Sequence, residues 1–271
     1  MIRVGSVNYL NAKPLIEGFA ALAPQAELVL DLPSRIADQL HRKELDVALV
    51  PVVEFFRGTR YKIIPDISIA SHGPVLSVTL FSRKPWDQIN SVALDIGSRS
   101  SAALTQILLR KRYYRQITLE PLSMTSDPEN STADAVLLIG DRAMRACLPG
   151  FDFAYDLGEE WTRWQELPFV YAVWAVREGV DLEGVDEALR QAKELGRTRA
   201  GWIAQREAED LGLDPGYCRR YLTNIIHYDL GKQELAGLQQ YYQLATELGL
   251  APEGVQIEYY HPKNSVESRR R

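Results

Sequence analysis

Four short stretches of this chain carry side chains suited to gripping or polarising a small polar molecule. In Ser6-Val7-Asn8-Tyr9-Leu10-Asn11, two asparagines, Asn8 and Asn11, interrupt an apolar pattern. Each carboxamide offers two N–H donors and an acceptor oxygen, a set that matches a hydroxyl, an ether or a carboxylate. Asn11 also stands just before Ala12-Lys13-Pro14, so it has a second reading as the cap of a helix entered there. Gly97-Ser98-Arg99-Ser100-Ser101 opens a helical pattern. Successive backbone N–H groups, hydroxyls and a guanidinium at a helix start make a cradle for a carboxylate or phosphate. No Gly-Lys-Ser/Thr follows, which argues against a nucleoside triphosphate. In Ser71-His72-Gly73-Pro74-Val75-Leu76-Ser77, the glycine and proline set a turn, and Ser71 or Ser77 can face a cleft. His72 invites the role of general base, but no neighbouring carboxylate in the sequence would orient it. Gly140-Asp141 follows the apolar run Ala135 to Ile139, and the aspartate suits capping of a helix at Arg142, a bond to a ligand hydroxyl, or both.

The elements that must hold these stretches are short apolar runs. Ile2 to Gly5 reads as a buried strand, and Pro14 begins a helix whose apolar face takes in Leu15, Ile16, Phe19 and Ala20. Glu27 to Leu32 is a second strand. A helix capped by Ser34 runs from Pro33 to about Arg42, and Leu45 to Val52 is a third, almost continuously apolar strand. Strand, helix, strand in this order predicts a doubly wound α/β sheet. In such sheets the loops at the carboxyl ends of strands face the ligand crevice, beside helix N-termini that each carry about half a positive charge. An anionic small molecule is the natural occupant.

The same pattern resumes at Ser91 to Asp95 with the amphipathic stretch Gly97 to Tyr113, and again at Ala135 to Met144. Between these units, Tyr61 to Arg83 contains an alternating run from Val75 to Phe81 long enough to pass from one lobe to another, and Leu167 to Val176 predicts the return. Two crossings predict a hinged clamshell, with lobe I formed by residues 1–82 and 176–271 and lobe II by residues 83–175. From Asp181 onward the pattern is helical. Val185 to Gly196 and Gly201 to Gly212 each end on a glycine suited to a helix C-cap, and Ser265 to Arg271 forms a charged tail without apolar anchors.

Composition narrows the function classes. A chain of 271 residues, 46% apolar and 25% charged, exceeds the usual single-domain length and can build two cores. A formal charge of −5 argues against nucleic acid as the partner, since phosphate neutralisation needs a basic face. No apolar stretch approaches the roughly 20 residues needed to span a bilayer, and the opening enters a strand without a basic and apolar leader, so the expectation is a cytoplasmic protein off the membrane. Cys147 and Cys218 read as buried free thiols, and the tryptophans, Trp202 included, as core. His41, His72, His227 and His261 are isolated in sequence and no Cys-x-x-Cys occurs, which argues against metal ligation.

Taken together, Val7-Asn8-Tyr9-Leu10-Asn11-Ala12-Lys13-Pro14-Leu15, Asp46 to Val52, Ser71 to Ser82, Asp95 to Ser101, Leu138 to Arg142, Leu167 to Val170 and Tyr228 to Gly231 resemble the chorismate dehydratase family, whose members open the futalosine route to menaquinone. The sister family that makes 1,4-dihydroxy-6-naphthoate opens with a Pro-Cys-Pro-Asn-Asp-like segment, absent here. The resemblance implies a two-lobed clamshell of the periplasmic-binding-protein type II kind. It also implies loss of water from chorismate to give 3-[(1-carboxyvinyl)oxy]benzoate, by substrate-assisted elimination without nicotinamide, flavin or metal. It assigns Asn11 to holding and polarising the substrate. The family's hinge serine falls on Ser77 or Ser71, with Ser77 preferred, and Ser98, Arg99, Ser100 and Ser101 become the carboxylate cradle, joined by Asn8, Gly140 and Asp141. The same clamshell also serves non-catalytic anion binders, so fold alone leaves that reading open.

Overall fold

A computed structural model describes residues 1–262, and the tail expected at 265–271 lies outside them. Two five-stranded mixed sheets form the framework. The first contains β1 (Ile2–Val7), β2 (Ala26–Asp31), β3 (Val47–Pro51), β4 (Lys62–Ser71) and, from far along the chain, β10 (Phe169–Val176), in the order β2-β1-β3-β10-β4. The second contains β5 (Val78–Ser82), β6 (Ser91–Asp95), β7 (Thr118–Leu122), β8 (Ala135–Ile139) and β9 (Phe153–Asp156), in the order β7-β6-β8-β5-β9. Pairs β1–β2, β1–β3, β6–β7 and β6–β8 are parallel. In each sheet one strand is antiparallel to both its neighbours: β10 lies between β3 and β4, and β5 between β8 and β9. These are the strands that arrive from the opposite lobe.

The helices around the first sheet are α1 (Phe19–Leu22), α2 (Pro33–His41) and α3 (Val52–Arg57). Those of the second lobe are α4 (Ser100–Ile107), which continues as a π-helical turn to Arg112, α5 (Gly140–Arg145) and α6 (Leu157–Gln165). The C-terminal part supplies α7 (Val185–Thr198), α8 (Ala200–Leu211), α9 (Pro215–Arg220) and α10 (Lys232–Glu247). None of the helices among the described residues is long and apolar enough to cross a membrane.

Sheet membership moves both expected lobe boundaries. β5 pairs in the second sheet, so lobe II begins before residue 83. The apolar run at 169–176 is no crossing but the strand β10 of the first sheet, apolar because its side chains are buried on both faces. The connections between sheets are therefore residues 72–77 and the stretch 157–168 that contains α6. One carboxylate ties them together. Asp156 accepts backbone N–H groups from Val75 at 2.9 Å and Leu76 at 2.6 Å in the first connection, and from Gly158 at 2.9 Å and Glu159 at 3.0 Å at the start of α6. It is thus a helix cap and a clamp on the neighbouring crossing at once.

Other local expectations give way to packing. Gly196 does not end its helix; α7 runs on to Thr198, and the glycine is there because a Cβ would lie 2.0 Å from the Pro14 carbonyl oxygen. Gly212 does end α8, at φ +61°. Ser34 lies inside α2, whose cap position is Leu32 with Pro33 at the first helical position. Cys147 is exposed while Cys218 is buried, and both are free. Trp202 is 55% exposed with Arg206 stacked 4.4 Å over its ring.

Replacing Asp156 by alanine removes the acceptor of four backbone N–H groups in a partly dry junction, and should lower stability by about 2–4 kcal/mol. Chemical denaturation checks this; an unchanged midpoint would show that solvent satisfies those groups equally well.

Candidate active site

The carboxyl ends of β1, β3, β6 and β8 converge between the sheets on a cavity that, counted with the space at its mouth, holds about 570 Å³. That falls within the range of roughly 300–1,000 Å³ typical of small-molecule sites. Its wall is apolar on the sides, from Leu49, Ile69, Val78 and Ile139, and polar where Asn11, Ser77 and the Ser98 to Ser101 turn meet. Among the described residues neither aspartate, glutamate, histidine, lysine nor cysteine lines it, and Arg99 is its one charged residue.

The opening stretch leaves β1 and enters a 3-10 helix, Leu10–Ile16, whose cap position is Tyr9 and makes no side-chain cap bond. Asn11 is therefore no cap. It lies inside the 3-10 turn, lines the cavity, and its Oδ1 is buried without a hydrogen-bond partner. Asn8 turns the other way: it is exposed, and its Oδ1 accepts Lys13 Nζ at 2.7 Å. It does not reach the cavity. Asp141 is buried, and its Oδ1 accepts the Leu10 N–H at 3.1 Å, so it fixes the 3-10 turn from the opposite lobe and does not line the cavity. Burial raises its pKa, against the Leu10 N–H and the charges of Arg145 and Lys13.

In the second lobe, Asp95 at the end of β6 accepts the Gly97 N–H at 2.9 Å and faces Arg142 at 3.5 Å, which shapes the turn before α4. Burial pushes the Asp95 carboxyl up, partly offset by those two partners. All four residues Ser98 to Ser101 line the cavity. Ser98 Oγ accepts the Ala102 N–H at 3.2 Å and so closes the first turn of α4. Ser100 Oγ accepts the Val53 N–H of α3 at 3.2 Å, capping a helix in the other lobe, while its carbonyl accepts the Tyr241 hydroxyl. The Ser101 carbonyl accepts the Thr105 hydroxyl at 2.9 Å. Arg99 pairs with Asp38 across the cleft at 3.5 Å and keeps a buried, unpartnered Nε.

Both serines of the first crossing are buried, in different positions. Ser77 lines the cavity, accepts the Tyr221 hydroxyl at 2.7 Å on its Oγ, and accepts the Gly140 N–H at 2.8 Å on its carbonyl. Ser71 stands behind the wall, bonded to the Gly73 carbonyl and the Tyr171 hydroxyl at 3.0 Å each. A serine oxygen that accepts from the protein has mainly its own hydrogen left to offer. Ser77, Ser98 and Ser100 are all in that condition, so the polar side of the cavity presents donors and favours an acceptor, an anion above all.

His72 lies outside the cavity, 2.5 Å from Glu234, with its ring 4.2 Å from that of His227. Isolated in sequence, these histidines are neighbours in space; burial and the nearby His72 lower the pKa of His227. No group of three or more His, Cys, Asp or Glu side chains among the described residues is placed to hold a metal ion.

Three tyrosines escaped the sequence reading. Tyr9 and Tyr171 line the cavity, and Tyr221 stands behind Ser77. The Tyr9 ring covers Gly140, which lies at φ +59°, and its hydroxyl is buried without a partner. Burial, then Asp95 and Asp141, raise its pKa, so it stays a neutral donor. A Cβ on Gly140 would stand 3.0 Å from three Tyr9 ring atoms. Gly140→Ala should therefore cost about 1–2 kcal/mol from the left-handed backbone alone, read as a lower denaturant midpoint; an unaltered midpoint would mean that this turn and ring relax freely.

Comparison with known proteins agrees with this geometry. The chain is 32% identical to a chorismate dehydratase of Thermus thermophilus, over 91% of this chain and 95% of that protein. It is 25% identical to a chorismate dehydratase of Campylobacter jejuni, over 90% and 93%. Among solved structures, a protein of Archaeoglobus fulgidus superposes with a TM-score of 0.72 at 18% identity, covering 92% of this chain and 98% of that one. The periplasmic aliphatic sulphonate binding protein of Escherichia coli gives 0.62 at 17%, covering 97% of each. The fold is thus the two-lobed α/β fold of periplasmic binding proteins, as expected. With residues 2–247 matching the family described as menaquinone biosynthesis, a span that contains every element of both sheets and every residue of the cavity, the chain belongs to that family.

Proposed function

We propose that this protein is a chorismate dehydratase, a hydro-lyase that removes water from chorismate to leave 3-[(1-carboxyvinyl)oxy]benzoate. The observation that carries this reading is the likeness to two chorismate dehydratases along nine-tenths of the chain. The cavity supports it: one cation, several hydroxyl donors and no acid suit a dianion with an apolar ring.

The reaction needs little equipment from the protein. The hydrogen on the ether-bearing ring carbon is conjugated through the diene to the ring carboxylate, so its loss gives a delocalised anion. The adjacent hydroxyl then leaves, the ring becomes aromatic, and the departing proton and hydroxide make up the water. Arg99 and the first-turn N–H groups of α4, which have no intrahelical acceptor, hold a carboxylate. Asn11 orients the substrate through its carboxamide, whose oxygen has no partner among the described residues, and Ser77 donates to developing negative charge. Tyr9 and Tyr171 cannot serve as bases near neutrality, because burial raises both hydroxyls. The proton acceptor is then the substrate's own enolpyruvyl carboxylate. A cytoplasmic setting belongs to this reading.

Incubation with chorismate should yield an aromatic enol ether visible in the ultraviolet; absence of turnover would refute the proposal. Asn11→Ala should cost about 100-fold or more in kcat, the usual loss when a donor aimed at the transition state is removed, whereas Asn8→Ala should stay within about twofold because its carboxamide faces Lys13 outside the cavity. Equal losses would overturn the assignment. With no titrating base in the wall, kcat should be flat from about pH 6 to 9. A limb with a midpoint near 7 would instead reveal a histidine or perturbed carboxyl acting on the substrate.

A further inference from the structure

Tyr221 belongs to the C-terminal helical part of the chain, far from the two loops that carry the cavity's polar groups. It is the first residue of a π-helical turn, Tyr221–Ile225, directly after α9. Such wide turns re-aim a side chain relative to a regular helix and recur at functional sites. Here the ring passes inward and is fully buried, at 1% exposure, with its hydroxyl 2.7 Å from Ser77 Oγ. The Asn11 carboxamide lies beside the same hydroxyl. One phenol thus stands behind two residues of the cavity wall that come from different segments of the chain.

We propose that Tyr221 is a positioning residue that donates its hydroxyl hydrogen to Ser77 and thereby obliges Ser77 to turn its own hydrogen into the cavity. The reasoning is a count of donors and acceptors. A serine hydroxyl has one hydrogen to give and two acceptor sites. Ser77 Oγ takes the phenol hydrogen on one of them, and its own hydrogen makes no hydrogen bond within the described residues. That hydrogen is left facing the cavity, and a hydroxyl that is already accepting is the more strongly polarised donor. Burial holds the phenol above its ordinary pKa, so Tyr221 keeps the hydrogen it donates. Without the phenol oxygen, Ser77 regains rotational freedom and loses polarisation, while the carboxylate grips at α4 are untouched. The loss should therefore fall on kcat and spare KM.

This rests on the dehydratase reading above, and the test separates the two. Four proteins are compared: unsubstituted, Tyr221→Phe, Ser77→Ala and the double variant. Tyr221→Phe should lower kcat about tenfold, equal to one hydrogen bond's worth of transition-state stabilisation, with KM within about twofold. In the Ser77→Ala background the same change should cost less than about twofold. An equal loss in both backgrounds would mean that Tyr221 acts through Asn11 or the fold and not through Ser77, and no loss with Ser77 present would mean that the bond does nothing; either overturns the inference. A second measurement is independent of any substrate. The Tyr221 Cζ carbon-13 resonance, identified by its disappearance in Tyr221→Phe, should shift in Ser77→Ala, and a fixed resonance would disprove the bond. Should the unsubstituted protein leave chorismate untouched, the functional reading falls, and the inference is then decided by that resonance.

Discussion

A buried backbone N–H has to find an acceptor, and among the described residues Leu10 and Val53 find theirs across the gap between the lobes. Leu10 N–H, in the opening turn, is taken by Asp141 of the second lobe; Val53 N–H, at the start of α3, is taken by Ser100 of the second lobe. With both bonds made, the cavity between the lobes has a floor, and Asn11 and the α4 turn face each other across it. Were the lobes to separate, two N–H groups would be left for water and the polar wall would come apart with them. The geometry of the site and the closure of the clamshell are one condition.

That condition also sets the electrostatics. Asp95, Asp141 and Asp156 are each occupied with backbone N–H groups of a turn, a 3-10 helix or a crossing, and Asp38 with the Arg99 guanidinium. Their charge is spent on architecture and turned away from the space the ligand would occupy. What remains in the wall is a guanidinium, hydroxyl hydrogens, carboxamide and apolar carbon. Such a lining suits an anion, and among the described residues its wall presents no carboxylate or imidazole.

Much of this was legible in the sequence. Apolar runs and the loops after them located β1, β3, β6 and β8, and with them the stretches that meet at the cavity, because strand burial writes itself directly into composition. Asn11, Ser77 and Ser98 to Ser101 were singled out and do line one space. What composition could not reveal was direction. Asn8 and Asn11 are chemically identical, yet Asn8, before the 3-10 helix, faces Lys13, while Asn11, inside it, faces the cavity. β10 looked like a connection because a strand inserted between two others has the same apolar run as a long crossing. Gly196 looked like a stop signal, but its reason is the Pro14 backbone pressed against it, a contact between residues 182 positions apart. The tyrosines went unnoticed since an aromatic residue reads as core until its hydroxyl is seen to have a destination.

The exchange of one strand between the sheets has a consequence for how the protein is made. As the ribosome releases the N-terminal segment, β3 and β4 emerge early, but the place between them belongs to β10, roughly a hundred residues later in the chain. Until Val176 has been synthesised, the first sheet carries an open slot flanked by two edges with unpaired backbone groups, the kind of surface that recruits other strands. The nascent chain must therefore complete its interior lobe before its leading one, and the first part to be translated is the last to be finished.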